Sequence, residues 1–217
     1  MPLFHEDSVK GFLHEPKRPG LHGIVLTHGA GGNYRMPLLV LLAEAFCDAG
    51  YTVLRCDMAF RQRKAGGPPS PSTAAMDRAS LCDAVTALRR LNQGGSVILG
   101  GQSYGGRQST MLAAEQPGLV EALLLLSYPL HPPGKPEKPR TEHFPSLRTP
   151  ALFVQGTKDP FGTIEEVTAA FKTIPARHEL IEVAGAGHDL GGKKFALANT
   201  VIERLGPLAA LKSEHHA

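Results

Sequence analysis

The segment Gly100-Gly101-Gln102-Ser103-Tyr104-Gly105-Gly106 holds the residue best placed to do chemistry, a serine in G-x-S-x-G spacing between an apolar run and a stretch of helical period. A serine on so tight a strand-to-helix turn is held in a strained backbone conformation. Gly101 and Gly105 are required there because side chains at those positions would meet neighbouring backbone. The hydroxyl then stands clear at a helix N-terminus. The helix dipole and free backbone N–H groups, that of Tyr104 among them, favour negative charge developing at that point. The chemistry implied is nucleophilic attack. Because the bare pattern is short and arises by chance in Gly-rich turns, its weight comes from the strand before it and the helix after it.

A serine hydroxyl is a poor nucleophile at neutral pH and needs a positioned base, which in turn needs an acid to fix its tautomer. Downstream of Ser103 the chain offers Asp159, directly after the apolar run Ala151 to Gln155, and His188, directly after Glu179 to Val183. The order Ser, acid, His is the one expected after a G-x-S-x-G elbow. Both positions fall at carboxyl ends of strands, where open α/β sheets place their ligand crevice. Pro160 pushes Asp159 out of helical geometry and into an extended turn. No acid follows the run Ala122 to Ser127, where Tyr128-Pro129 stand instead, and Glu165 and Glu166 lie too far into the next helix. His188 sits among small residues, Gly185-Ala186-Gly187, in a loop able to carry an imidazole to the serine. Asp189, as the adjacent residue, points elsewhere and is expected to cap that loop. The remaining histidines read as surface or turn residues.

A second oxyanion donor is expected from the loop after the first central strand, Thr27-His28-Gly29-Ala30-Gly31-Gly32. The N–H of Ala30 is the first choice and that of Gly31 the alternative, with His28 expected to make structural hydrogen bonds. This loop lacks both P-loop and dinucleotide spacing, so it does not read as a nucleotide site. Arg61 and Arg63 follow the run Thr52 to Cys56, and Arg107 lies in the first turn after the elbow. Their planar forks could clamp a substrate carboxylate or phosphate. The competing reading is solvated surface charge, or an arginine paired with Asp57.

These residues need a scaffold, and the apolar patterning supplies one. Short aliphatic runs suited to strands buried on both faces occur at Gly23 to Thr27, Thr52 to Cys56, Ser96 to Gly100, Ala122 to Ser127, Ala151 to Gln155 and Glu179 to Val183. Between them lie helical stretches at Pro37 to Asp48, Ala75 to Leu91, Tyr104 to Glu115, Ile164 to Thr173 and Lys193 to Leu205. In the second of these, Leu81, Ala84, Val85, Leu88 and Leu91 form one buried face. Gly206-Pro207 is expected to interrupt the last helix. Val9 to Leu13 is expected to add an antiparallel edge strand. Phe60 to Ser72 and Pro129 to Pro150, rich in Pro, Gly, Lys and Arg, read as loops over the sheet's edge. The fold class is α/β, a three-layer α/β/α sandwich on a mostly parallel sheet, and 217 residues fit one domain over 1–217.

Composition narrows the function classes. With 23 Lys+Arg against 20 Asp+Glu, the charges are near balance and scattered, so no nucleic-acid footprint is expected. No apolar run approaches membrane-spanning length, and acids stand at the N-terminus where a signal peptide carries basic residues. The three cysteines Cys47, Cys56 and Cys82 show neither metal-ligand nor disulfide spacing, which points to reduced thiols in a cytoplasmic protein.

On these residues the chain resembles the α/β-hydrolase superfamily, specifically its small dienelactone-hydrolase-like members. The segments HGAGG, RCDMAFRQRKAGGPPSPS, GGQSYGGRQ, SYPLHPPGKPEKPRTEHFP, FVQGTKDPFGT and GAGHDL are similar more narrowly to the group containing the hydrolase-like domain of the NSL complex's third regulatory subunit and its testis-expressed relative. The likeness runs from about Gly23 to Leu205. It implies an α/β-hydrolase fold with the Ser-Asp-His set carried onto Ser103, Asp159 and His188, and no metal or other cofactor. Larger members insert a helical cap after the strand corresponding to Ala122 to Ser127; the Pro-rich loop here is too short for one, so an open pocket for a small soluble acyl substrate is expected. Dienelactone hydrolases proper use a cysteine nucleophile, so their substrate does not transfer to a serine elbow. The expected activity is hydrolysis of a carboxylic ester or thioester. The rival is a non-catalytic interaction module that kept the fold, and a peptidase lacks any supporting feature.

Overall fold

The computed structural model describes residues 3–6, 8–191 and 195–210. Eight strands form one sheet: β1 (Leu3–Glu6), β2 (Val9–His14), β3 (His22–Thr27), β4 (Thr52–Asp57), β5 (Ser96–Gln102), β6 (Ala122–Leu126), β7 (Ala151–Gly156) and β8 (His178–Val183). Their spatial order is β1-β2-β4-β3-β5-β6-β7-β8. The first two strands join antiparallel and the other six run parallel. The helices are α1 (Pro37–Asp48), α2 (Ala59–Arg63), α3 (Ala74–Leu91), α4 (Tyr104–Glu115), α5 (Ile164–Phe171) and α6 (Phe195–Ala210). None among the described residues is long and apolar enough to cross a membrane.

Two cores follow from the period of two in each strand. Ile24 and Leu26 of β3 point to a layer built by α1 and α6, while Val25 between them joins the layer of α3, α4 and α5. All three are fully buried, as the unbroken apolar runs require of strands covered on both faces. Parallel register then decides where the chemistry sits. Thr27 pairs with Gly101, Gln102 with Leu126, and Gly156 with Val183, so β3, β5, β7 and β8 all end at the same edge. That edge carries the loops containing Ala30, Ser103, Asp159 and His188.

The structure departs from the sequence expectations in three places. Val9–His14 is an antiparallel strand but not the edge, because β1 pairs outside it, Leu3 opposite Phe12. With Leu3 67 % exposed, β1 has no buried face to announce it in sequence. Ala59–Arg63 is a short helix, not loop. Its N-terminal N–H groups are capped from α3, Phe60 N–H donating to Asp77 Oδ1 at 2.8 Å and Ala59 N–H to Ser80 Oγ at 3.1 Å. Finally, α6 continues through Gly206-Pro207. Pro207 lacks an N–H and strains the turn; burial of Leu205, Leu208 and Ala209 against the sheet offsets that cost. The start expected at Lys193 lies outside the described residues. Between β6 and β7 a single 3-10 turn, Phe144–Ser146, interrupts an irregular segment, and no cap domain is present among the described residues.

Candidate active site

Ser103 occupies the turn between β5 and α4 with φ 50° and ψ −116°, a left-handed conformation costly for any residue but glycine. The turn is locked from both sides, since Ser103 N–H donates to Leu126 O at 2.8 Å and Arg107 N–H donates to Ser103 O at 2.9 Å. The flanking glycines are sterically required. A Cβ on Gly101 would lie 2.4 Å from the Gly105 carbonyl carbon, and one on Gly105 would lie 2.6 Å from His28 O. The serine turn is thus packed directly on the Gly-rich loop after β3.

Ser103 Oγ lies 2.8 Å from His188 Nε2, and His188 Nδ1 lies 2.8 and 3.0 Å from the two oxygens of Asp159. Three side chains from three different strand ends therefore form one hydrogen-bonded chain. Asp159 is 3 % exposed. Its carboxylate also accepts from Phe161 N–H at 2.9 Å and Gln155 Nε2 at 3.0 Å, which holds it in a single orientation. The Phe161 ring stacks on the imidazole, centroids 4.1 Å apart. Gly156 lets the two loops meet, for a Cβ there would come within 2.4 Å of Ala186 O. Gln155, Gly156 and Phe161 were not singled out in the sequence, though Phe161 stands two residues after the aspartate and Gln155 four before it. The rival acids are engaged elsewhere: Glu166 closes a capping box with Thr163 on α5, and Asp189 accepts from Gly191 N–H at 3.0 Å.

Ala30 and Tyr104 both line the cavity in front of Ser103, and neither backbone N–H has a hydrogen-bond partner among the described residues. His28 beneath them is structural. Its Nδ1 donates to Gly29 O at 2.8 Å and its Nε2 accepts from Met58 N–H at 3.3 Å. Asp57 Oδ1 is also 3.3 Å from that nitrogen, but burial lowers the His28 pKa to about 4, so the ring is neutral and the contact is not an ion pair. The Tyr104 hydroxyl donates to Asp77 Oδ2 at 2.8 Å, tying the elbow to α3.

Two of the three arginines singled out in the sequence are not in the cavity. The Arg61 guanidinium is buried and taken up by backbone carbonyls: Nε donates to Gly32 at 2.7 Å, Nη2 to Ala30 at 2.8 Å and Gly67 at 3.1 Å, and Nη1 to Lys64 at 3.2 Å. With its donors so occupied it cannot clamp a substrate; it straps the Gly-rich loop. Arg63 turns away toward Met76 and Ser8, on another part of the surface. Arg107 does line the cavity, together with two arginines the sequence did not single out, Arg78 and Arg140. The cavity encloses about 660 Å³, bounded by the Pro68–Ser72 segment, Met111 and Phe161 as well.

A doubly covered, mostly parallel sheet with a strained serine elbow at its carboxyl edge defines the α/β-hydrolase class. The chain belongs to the alpha/beta hydrolase domain family, whose profile matches residues 21–203. Among solved structures it is similar to an alpha-beta serine hydrolase homologue from Coxiella burnetii, with 21 % identity, a TM-score of 0.74 and 91 % of each chain covered. It is also similar to Est1E from Butyrivibrio proteoclasticus, with 17 % identity, a TM-score of 0.74, and coverage of 96 % of this chain and 98 % of that one. A dienelactone hydrolase from Anabaena variabilis matches with 24 % identity and a TM-score of 0.70, over 90 % of this chain and 89 % of that one. At these identities the shared property is the fold.

Proposed function

We propose that the protein is a serine hydrolase that cleaves a carboxylic ester or thioester of a small soluble substrate through an acyl-enzyme, with Ser103, His188 and Asp159 as its catalytic residues. The observation that carries this reading is the continuous hydrogen-bonded chain from Asp159 through His188 to Ser103 Oγ, each link at 2.8 Å. Ser103 Oγ attacks the carbonyl carbon as its proton passes to His188 Nε2, while Asp159 accepts from Nδ1–H and stabilises the imidazolium. The oxyanion of the tetrahedral intermediate is held by the N–H groups of Ala30, in the loop after β3, and Tyr104, at the N-terminus of α4. His188 then gives its proton to the departing alkoxide or thiolate. In the second half, water attacks the acyl-serine, its proton goes to His188, and the acid leaves as Ser103 is reprotonated.

The open cavity without a cap supports a short acyl chain over a lipid. The Arg-rich segment after β4 and the Pro-rich segment after β6 support kinship with the NSL-subunit-like subgroup. Three unpaired thiols, Cys47, Cys56 and Cys82, support a cytoplasmic setting. Labelling with a fluorophosphonate probe tests the reading. Wild type is expected to be modified stoichiometrically and Ser103→Ala not at all; an unlabelled but folded wild type would instead favour a non-catalytic interaction module.

A further inference from the structure

One wall of the cavity is left without a task by ester cleavage alone. Arg78 on α3, Arg107 on α4 and Arg140 in the segment after β6 all border it, and none of the described residues lining it is Asp or Glu. Three like charges around one partly dehydrated space repel one another, so a pocket for a purely neutral acyl group would be better lined with apolar side chains.

The three arginines differ in how they are bonded. Arg78 is held by Glu115 through Nε at 2.9 Å and by Gln108 Oε1 through Nη1 at 3.1 Å. Among the described residues the Arg140 guanidinium reaches only the Pro129 carbonyl, at 3.4 Å. The Arg107 side chain is half-buried, its Nε is shielded without a partner, and its guanidinium donates to no described residue. Of the nearby carboxylates, Asp77 is committed to Tyr104 and Phe60 and Glu115 to Arg78, while the exposed Glu142 acts on Arg140 and His143 through its charge without a hydrogen bond to either. His143 is neutral and adds no charge of either sign, burial and then the Arg107 charge lowering it to about 4. Burial and the same Arg107 charge also push Arg140 below the usual guanidinium range, with the exposed Glu142 carboxylate opposing them only in part. On the half-buried Arg107, the shielded Nε, left without an acceptor, costs free energy that an anion reaching it would recover.

We infer that this wall is a subsite for an oxyanion carried by the substrate, a carboxylate or a phosphate, with Arg107 as its main ligand and Arg140 and Arg78 flanking it. The inference deepens the hydrolase reading and rests on Ser103 as the point of attack. Arg107 lies one helical turn beyond Ser103, a rise of about 6 Å. The anion therefore sits a few bonds from the scissile carbonyl, and the substrate is bifunctional, an ester or thioester at one end and an acid at the other. Arg107 offers its fork in the planar geometry that such oxyanions accept.

The test measures binding separately from turnover. Calorimetry on Ser103→Ala compares methyl butyrate with two anionic analogues, monomethyl glutarate and methyl 4-phosphonobutanoate. At least one anionic ester is expected to bind about 10- to 100-fold more tightly than the neutral one, the range of a charge-assisted hydrogen-bonded pair, and the tighter of the two identifies the group. Adding Arg107→Met is expected to erase the preference, Arg140→Met to reduce it, and Arg63→Met, away from the cavity, to leave it unchanged. Arg107→Lys, which keeps charge but loses the fork, should retain only part of it, and it takes over as the deciding variant should Arg107→Met fail to fold. Equal binding of neutral and anionic esters, or a folded Arg107 variant that keeps the full preference, would overturn the subsite. Arg107-dependent binding alongside a wild type that turns over neither 4-nitrophenyl hemiglutarate nor 4-nitrophenyl pentanoate would keep the subsite and remove the hydrolase reading.

Discussion

Arg61 and Arg107 carry the same guanidinium near the same cavity and are bonded in opposite ways. The Arg61 side chain donates to four backbone carbonyls, two of them in the loop that carries Ala30, whereas the Arg107 guanidinium donates to none of the described residues. The first belongs to a floor whose side chains Asp159, His188, Ser103 and His28 are held by hydrogen bonds, with the Ala30 and Tyr104 N–H groups, Gln102 Oε1 and Gln155 Oε1 left unpartnered among the described residues. The second belongs to a wall left open. Donors already occupied fix geometry, and donors left free await a ligand. The contrast implies that changes to the floor lower turnover of every substrate, while changes to the wall alter which substrate is preferred.

The largest effect is expected in the floor. Asp159→Asn should lower kcat about 10⁴-fold with all esters alike, because the amide no longer fixes the imidazole tautomer; steady-state kinetics on acetyl and butyryl esters checks it. Arg61→Met comes next, since it removes the buried guanidinium that straps the carbonyls of Ala30, Gly32, Lys64 and Gly67 together. A loss of about 3 kcal/mol in urea unfolding is expected, with kcat about 10- to 100-fold lower for charged and neutral esters equally as the Ala30 donor drifts. Arg61→Lys should restore only part of both, having no fork to reach several carbonyls. A fall confined to anionic esters would place Arg61 with the wall instead and erase the distinction.

Protonation probes the floor without mutation. Burial lowers His28 to about 4 in the folded chain, whereas in the unfolded chain it titrates near the ordinary histidine value of 6.5. The unfolded state therefore binds the extra proton first. Stability is complete above pH 6.5 and falls as pH drops from 6.5 toward 4, by about 1.4 kcal/mol per pH unit from this residue alone. His14, 2 % exposed and also lowered to about 4, acts in the same direction. Urea midpoints at pH 7 and pH 5 measure the loss, and His28→Gln should flatten the slope. A smaller effect is expected at Phe161→Leu, which removes the ring stacked on His188. A two- to tenfold lower kcat corresponds to about 0.5–1.5 kcal/mol for such a ring contact.

Much of this site was legible in the primary order because its parts are local. The serine elbow needs glycines at fixed neighbours, and Asp159 and His188 each follow an aliphatic strand of recognisable length. The sheet register then brings them to one edge. What the chain did not disclose depends on partners far away in sequence. Arg61 reads as a candidate anion clamp because its acceptors, Ala30 and Gly32, lie some thirty residues earlier; Arg78 and Arg140 do not stand out because only the folded α3 and the segment after β6 bring them to the cavity. Helix α2 was hidden for the same reason, its caps Asp77 and Ser80 belonging to the next helix. Pro207 misled because the local rule against proline inside a helix carries no information about the burial of Leu208 beyond it.

The most direct measurement is mass spectrometry of the protein quenched in acid during turnover of 4-nitrophenyl acetate. One acetyl group per chain is expected, carried by the peptide containing Ser103 and absent in Ser103→Ala. An acetyl group on another residue, or an unmodified Ser103 during undiminished turnover, would contradict the assignment of Ser103 as the nucleophile.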